Sequence, residues 1–405
     1  MKKILLSLSI SLFITCLQSC KGKNEQQAND EADLVDKNSA FAAEQYGAMM
    51  AVLKDSGEIR TPRTYVNQEL KLISPRDWTS GFIPGSLWYL YELTGEETWK
   101  VSGIKYTEAL DSIKYFTGHH DIGFMIGCSY GNALRLTGNQ DYKDVIMQAA
   151  RSLSTRYNPT VGLIQSWNPN PKKDRQYTVI IDNMMNLELL FDATELSGDS
   201  LFYHIAVSHA DNTMKNHYRP DYSTWHVVDY SPKDGSIRHR GTQQGYSDAS
   251  SWARRQAWGV YGYAMCYRKT KDPKYLEQAE KASGFIFNHP NYPEDGIPYW
   301  DFDDPNIPHI YRDASAGAIL ASALYELSTY SSKQDYKAWA DRIMKSLSDP
   351  EYRSASGENG NFILTASVGS LPENSEVNVP LNYADYYFLE ALKRKRDLEN
   401  GELKK

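Results

Sequence analysis

Only four cysteines occur in 405 residues, and Cys16 lies in the amino-terminal apolar run. A disulfide framework is therefore excluded. Nothing supports a bridge between Cys128 and Cys266, and each sits in an apolar helical context, so two buried thiols are expected. Positive charge is short too: 44 Lys and Arg stand against 51 Asp and Glu, a net charge of -7. That argues against a nucleic-acid partner, which needs clustered cations to displace phosphate counterions. Gly-rich phosphate loops and nucleophile-elbow motifs are missing. His119-His120-Asp121 lacks a zinc-type spacing partner, and Asp301-Phe302-Asp303-Asp304 lacks the Gly and distal Glu of a calcium loop. The expected chemistry is acid–base work with no metal and no cofactor.

Aromatic residues are plentiful, with 29 Tyr and 9 Trp. They suit either sugar-ring stacking or core filling. Met1, Lys2 and Lys3 lead into an apolar run, Ile4 to Leu17, too short to span a bilayer and built like a signal peptide. It ends in Leu17-Gln18-Ser19-Cys20, which resembles the bacterial lipobox, so Cys20 is the expected lipidation site. The expected organisation is a lipoprotein signal peptide over 1–19, a polar tether over 20–36 and one catalytic domain over 37–405. The protein is then expected at the bacterial cell envelope, facing the periplasm or the cell surface, with the membrane touched only through the amino-terminal lipid.

A helical unit recurs along the domain. Its marker is a turn, seen as Leu93-Thr94-Gly95-Glu96, Leu136-Thr137-Gly138-Asn139 and Leu196-Ser197-Gly198-Asp199, and in degenerate form as Lys269-Thr270-Lys271-Asp272-Pro273. Gly ends one helix in the left-handed region, and the polar residue after it caps the next. The second helices are half exposed: Tyr142, Val145, Ile146, Ala149, Ala150 and Leu153 fall at 3/4 spacing. The first helices are apolar nearly all round, as in Met184, Met185, Leu187, Leu189, Leu190 and Ala193. Helices are expected over 39–56, 81–93, 97–115, 121–136, 141–156, 182–196, 200–216, 249–268, 273–287, 313–329, 333–348 and 382–396. Strand-like alternation is scarce. Six hairpins that alternate buried and half-exposed helices give an all-α fold, an (α/α)6 barrel with inner and outer rings. Four long stretches, 157–181, 217–248, 288–312 and 349–381, exceed what a connection needs.

Asp121, Asp182 and Asp313 each open an inner helix. Asp caps helix N-termini well, which could account for any one of them. Inner helices run parallel in such a barrel, however, so their N-termini converge at one mouth, where two close carboxylates split their pKa values and one can stay protonated near neutral pH. The long stretches add Gln165-Ser166-Trp167-Asn168, Trp225-His226 and Gly241 to Asp248 to that mouth. Arg254 and Arg255 follow beside Trp252 and Trp258 and point about 100° apart, so one is expected to face the cavity. A buried guanidinium there needs either a protein carboxylate or an anionic substrate group.

These residues carry a resemblance. Trp78-Thr79-Ser80-Gly81-Phe82, His120-Asp121-Ile122-Gly123-Phe124, Ile181 to Asn186, Ser251 to Gly259 and Asp385 to Glu390 resemble, in order, the unsaturated glucuronyl hydrolases of glycoside hydrolase family 88. The resemblance implies an (α/α)6 barrel that removes a Δ4,5-unsaturated uronic acid from the non-reducing end of oligosaccharides made by polysaccharide lyases, glycosaminoglycan disaccharides first among them. It implies catalytic aspartates at Asp121 and Asp182. Asp182 would protonate C4 and then activate water, while Asp121 raises the Asp182 pKa and steadies positive charge at C5. It implies a substrate shell of Trp78, His120, Trp167, His226, Gln244, Arg254 and Trp258, with Trp167 and Trp258 stacking the ring and Ser370 and Ser375 as further candidates. Arg255 departs from the family's Gly and is expected to pair outward, with sulfate reading or exclusion of a bulky aglycone as alternatives. Competing readings are an unsaturated rhamnogalacturonyl hydrolase, an inverting glycosidase acting on saturated glycans, and a glycan-binding lipoprotein without catalysis.

Overall fold

A computed structural model of the chain describes residues 34–54 and 59–403. The expected signal peptide, Cys20 and the tether as far as residue 33 lie outside the described residues. Residues 34–36, expected in the tether, are already helical, and Val35 is buried.

Helix α1 covers residues 34–53. After it come α2 (Phe82–Thr94), α3 (Glu97–Glu108), a π-helix (Gly123–Gly131) running into α4 (Asn132–Thr137), and α5 (Gln140–Ser154). A 3-10 turn (Ile181–Asn186) opens α6 (Leu187–Ser197), followed by α7 (Ser200–His217), α8 (Ala253–Thr270), α9 (Pro273–Asn288), α10 (Ala314–Ser328), α11 (Tyr336–Leu347) and α12 (Asn382–Glu399). The helices that pack in sequence around the ring are α2, the π-helix with α4, α6, α8, α10 and α12, and α12 returns to α2. The barrel is therefore closed rather than an open solenoid.

The predicted turns form as their chemistry requires. Gly95, Gly138 and Gly198 end α2, α4 and α6 at φ 73, 66 and 75. Asn139, Asp199 and Asp272 then cap α5, α7 and α9 by accepting a backbone N–H two residues on. In the degenerate turn Lys271 itself takes the left-handed conformation. Between the rings, Trp88, Leu90, Met184, Leu187, Trp258, Leu320, Leu324 and Phe388 are all essentially inaccessible. The outer helices α5 and α11 bury one face only.

The long stretches hold more strand than their sequence suggests. β1 (Thr61–Val66) pairs with β2 (Glu69–Ile73), β3 (Tyr157–Asn158) with β4 (Leu163–Ile164), and β8 (Ser367–Ser370) with β9 (Ser375–Val379). A three-stranded sheet joins β5 (Tyr177–Ile180), β6 (Val227–Tyr230) and β7 (Ile237–Gly241). Each strand has six residues or fewer and pairs antiparallel, so alternation over such short runs is a weak signal.

Candidate active site

The N-terminal ends of the inner helices meet at a cavity of about 410 Å³ lined by Trp78, His120, Asp121, Trp167, Asp182, Gln244, Arg254, Ser370 and Ser375, together with Arg63, Lys173, Arg175, Gln243, Glu373, Glu376 and Tyr383. Convergence of parallel helices brings together residues from sequence position 63 to 383.

The three inner-helix aspartates divide into two roles. Asp313 caps α10, accepting the Ser315 backbone N–H, and pairs with Arg254 Nη1 at 3.2 Å. Asp121 and Asp182 cap nothing: the helical turns beside them begin without a side-chain cap. Their carboxyl groups are free to face the cavity.

Asp121 sits between two imidazoles, 3.1 Å from His119 Nδ1 and 3.3 Å from His120 Nε2. Burial acts to raise its pKa, but the His120 and His119 imidazoles and the Asn186 amide outweigh that and hold it below the usual carboxylate value. Burial pushes His120 down to about 4, so at neutral pH it is an uncharged neighbour. Burial opposes protonation of His119 as well, yet the bond to Asp121 outweighs it and raises the His119 pKa above its ordinary value. Gly123 makes this cluster possible, because a Cβ at that position would lie 2.5 Å from the Asn186 Cα. Asn186 Oδ1 accepts the Phe124 N–H at 2.9 Å, fastening the two inner helices beside Asp121.

Asp182 has the opposite environment. Burial, more than the negative charge of Asp121, pushes it up to about 7 against the pull of Arg254 and Arg255. Its Oδ2 lacks a hydrogen-bond partner among the described residues and stands 3.7 Å from His226 Nε2. His226 Nδ1 accepts the Gln243 N–H at 3.2 Å, which places the ring proton on Nε2, toward Asp182. Burial and the nearby arginines hold His226 neutral, with its pKa well below the ordinary value.

Trp78 and Trp167 are half buried on the cavity wall. Gln244 Nε2 donates to the Gly369 carbonyl at 3.0 Å. Arg254 donates to the Val368 and Gly369 carbonyls and, with Asp313, ties α8 and α10 to the β8–β9 hairpin, leaving an edge in the cavity. Ser370 and Ser375 face each other across that hairpin.

Two expectations are corrected. Trp258 is not a stacking surface: it is fully buried beneath the cavity, packed 5.3 Å from both Phe124 and Tyr387, and supports Trp78 through Phe124. As the sixth residue of α8 it lies on the face turned into the barrel core. Arg255 does not pair outward. It is fully buried, donates from Nη2 to the Ser250 carbonyl that Arg219 also uses, and burial with the like charge of Arg219 brings it down to about 9.

Residues 56–401 match the model of Glycosyl Hydrolase Family 88. The chain belongs to that family. This family 88 hydrolase is 43% identical over 380 residues to an unsaturated glucuronyl hydrolase of Formosa agariphila, with 94% of each chain covered. It is similar to a solved unsaturated glucuronyl hydrolase specific for heparin, with TM-score 0.87 and 45% identity over 92% of this chain and 100% of the other. A variant of the Streptococcus agalactiae unsaturated glucuronyl hydrolase, complexed with dGlcA-GalNAc6S, gives TM-score 0.73 and 29% identity over 89% and 90% of the two chains.

Several lining residues of the hydrolase escaped the sequence reading. Arg63 comes from the β1–β2 hairpin, a stretch assigned to no element, and is held by Glu376 at 2.5 Å and Asp77 at 3.1 Å. Lys173 and Arg175 lie in a stretch whose flagged residues were others, whereas Gln243 belongs to the run Gly241 to Asp248 already expected at the mouth. Tyr383 sits at the start of α12, and that position was the available signal.

Proposed function

We propose that this hydrolase removes Δ4,5-unsaturated uronic acid from the non-reducing end of lyase-generated glycosaminoglycan disaccharides, heparin-type products first. The observation that carries the reading is one cavity holding two carboxyls displaced in opposite directions, Asp182 up to about 7 and Asp121 below its usual value. One acid keeps its proton at neutral pH while the other is ionised. The names and high coverage of the relatives support the substrate class.

The substrate is an enol ether. Asp182 transfers its proton to C4, the double-bond electrons form the new C–H bond, and positive charge develops at C5 and the ring oxygen. Ionised Asp121 steadies that charge across the low-dielectric cavity. Water adds at C5 and gives its proton to the Asp182 carboxylate, which restores the acid. The hemiketal opens to a ketone, and the aglycone leaves from the exposed hemiacetal carbon. Neutral His226, with its Nε2–H turned toward Asp182, is placed to hold a substrate oxygen or the attacking water. Gln244, His120, Arg254, Ser370 and Ser375 supply further polar contacts, and Trp78 and Trp167 offer ring faces.

Loss of the ultraviolet absorbance of the conjugated double bond, on adding enzyme to lyase-generated disaccharides, tests the reaction. Running it in oxygen-labelled water should place the label on the oxygen at C5. Label at C1, or turnover of saturated disaccharides alone, would replace this reading with a conventional inverting glycosidase.

We also propose that the enzyme works at the bacterial cell envelope, held by lipid on Cys20. The support is the apolar run Ile4 to Leu17 and the sequence Leu17-Gln18-Ser19-Cys20. No described helix is long and apolar enough to cross a membrane. Cys20→Ala should move the protein from the detergent phase to the aqueous phase on partitioning. Unchanged partitioning would remove the anchor.

A further inference from the structure

Cations lining the cavity differ in whether a carboxylate answers them. Arg63 is answered by Glu376 and Asp77, and Arg254 by Asp313. Lys173 and Arg175 form no ion pair among the described residues, yet both line the same cavity. Both donate to a single neutral atom: Lys173 Nζ lies 3.0 Å and Arg175 Nη1 3.1 Å from Gln243 Oε1. Their charges therefore lie within about 6 Å of each other. Two like charges so close favour an anion over an amide oxygen between them.

The carboxylates nearby are committed elsewhere. Asp174, between the two cations in sequence, pairs with Arg238 at 2.8 Å, and Asp229 pairs with the same arginine at 2.6 Å. Asp248 accepts the Thr242 N–H, and Glu373 accepts from Gln243 Nε2. That last bond also fixes the amide orientation: its nitrogen faces Glu373, and its oxygen faces the cations. The loop tip is built rather than loose. Asn170 and Arg175 exchange two backbone hydrogen bonds of 2.9 and 3.0 Å, and the Arg175 guanidinium lies 5.6 Å over the Trp167 ring. Arg175 thus sits over a cavity-wall indole, and Lys173 is exposed at the rim whereas Asp121 and Asp182 are almost wholly enclosed.

We infer that Lys173 and Arg175 form an anion clamp for a sulfate ester on the leaving sugar, with Gln243 Oε1 as the acceptor the sulfate displaces. The inference rests on the reaction proposed above. In that reaction the uronate carboxylate belongs to the ring attacked by Asp182, at the enclosed end, so the anion reaching the rim must be a substituent of the aglycone. In a lyase-made glycosaminoglycan disaccharide that substituent is sulfate.

The test is the ratio of kcat/KM for a disaccharide sulfated on the leaving sugar to that for its unsulfated counterpart, followed by double-bond absorbance in wild type, Lys173→Gln and the Lys173→Gln/Arg175→Gln double variant. The ratio should fall roughly 10- to 100-fold in the double variant, the range of one or two charge-assisted hydrogen bonds. The fall should come mainly from a higher KM for the sulfated substrate, and the wild-type preference should weaken as salt is added. A fall of less than about threefold overturns the clamp and leaves the hydrolase reading intact. Wild-type enzyme inactive on both disaccharides would instead overturn the hydrolase reading itself.

Discussion

His226 Nε2 and Asp182 Oδ2 face each other at 3.7 Å, and neither atom has a hydrogen-bond partner among the described residues. The separation is just too long for a direct bond and short enough for one oxygen to touch both. His226 is fixed from behind by the Gln243 backbone, so it cannot swing to close the gap without losing that bond. His226→Phe removes the donor while keeping a ring and should lower kcat by about 10²-fold, the effect of deleting one preorganised donor. Wild-type kcat in that variant would show that the ring only fills space.

Both carboxyls should prove necessary in kinetics. Asp182→Asn and Asp121→Asn should each lower kcat by roughly 10² or more, as expected for loss of a general acid or of its electrostatic partner. Near-normal turnover in both would sink the assignment.

The pH profile follows from the direction of each shift. Activity needs Asp182 protonated and Asp121 ionised. The rate should therefore fall as pH rises through about 7, where Asp182 loses its proton, and should fall in acid only below the usual carboxylate range, where Asp121 gains one. A kcat/KM profile that stays flat through neutrality and beyond contradicts the role of Asp182.

Trp258 and the cavity-wall tryptophans should part company when truncated. Trp258→Ala empties a fully buried site and should destabilise the fold by about 3–5 kcal/mol in urea unfolding. Trp78→Ala and Trp167→Ala should instead raise KM roughly 3- to 10-fold with smaller loss of stability, in keeping with a lost stacking contact. A raised KM with unchanged stability in Trp258→Ala would return that residue to the sugar.

Asp313 carries two structural duties, the α10 cap and the charge opposite Arg254, and both are buried. Asp313→Ala leaves a guanidinium without its carboxylate and should cost about 3–5 kcal/mol of stability, measured by urea unfolding. Unchanged stability would mean that the Val368 and Gly369 carbonyls suffice for Arg254.

The barrel was legible in the sequence because its signals are local. Gly95, Gly138 and Gly198 end helices where only a left-handed residue serves, and the next polar side chain starts the following helix within two residues. The apolar density of Met184 to Ala193 against the one-sided pattern of Tyr142 to Leu153 separated inner from outer helices without any distant partner. The short strands around the mouth were not legible, since two to six residues cannot establish a period of two.

By itself the sequence determined the ring of helices and the convergence of aspartates at one end, because helix periodicity, turn chemistry and parallel packing act over a few residues at a time. Only the tertiary structure decided what each aspartate does. Asp121, Asp182 and Asp313 are the same residue type at similar helix starts, yet one rests against two imidazoles, one is desolvated with an unpartnered oxygen, and one is neutralised by Arg254. His119 and His120 adjoin Asp121 in sequence, but the burial of each carboxyl and the charge of Arg254 come from other helices of the barrel, which no local pattern records. For the same reason Arg255 went into the interior although its neighbour Arg254 reaches the cavity, and Trp258 went into the core: a helix turns about 100° per residue, and what each face meets is set by the rest of the barrel.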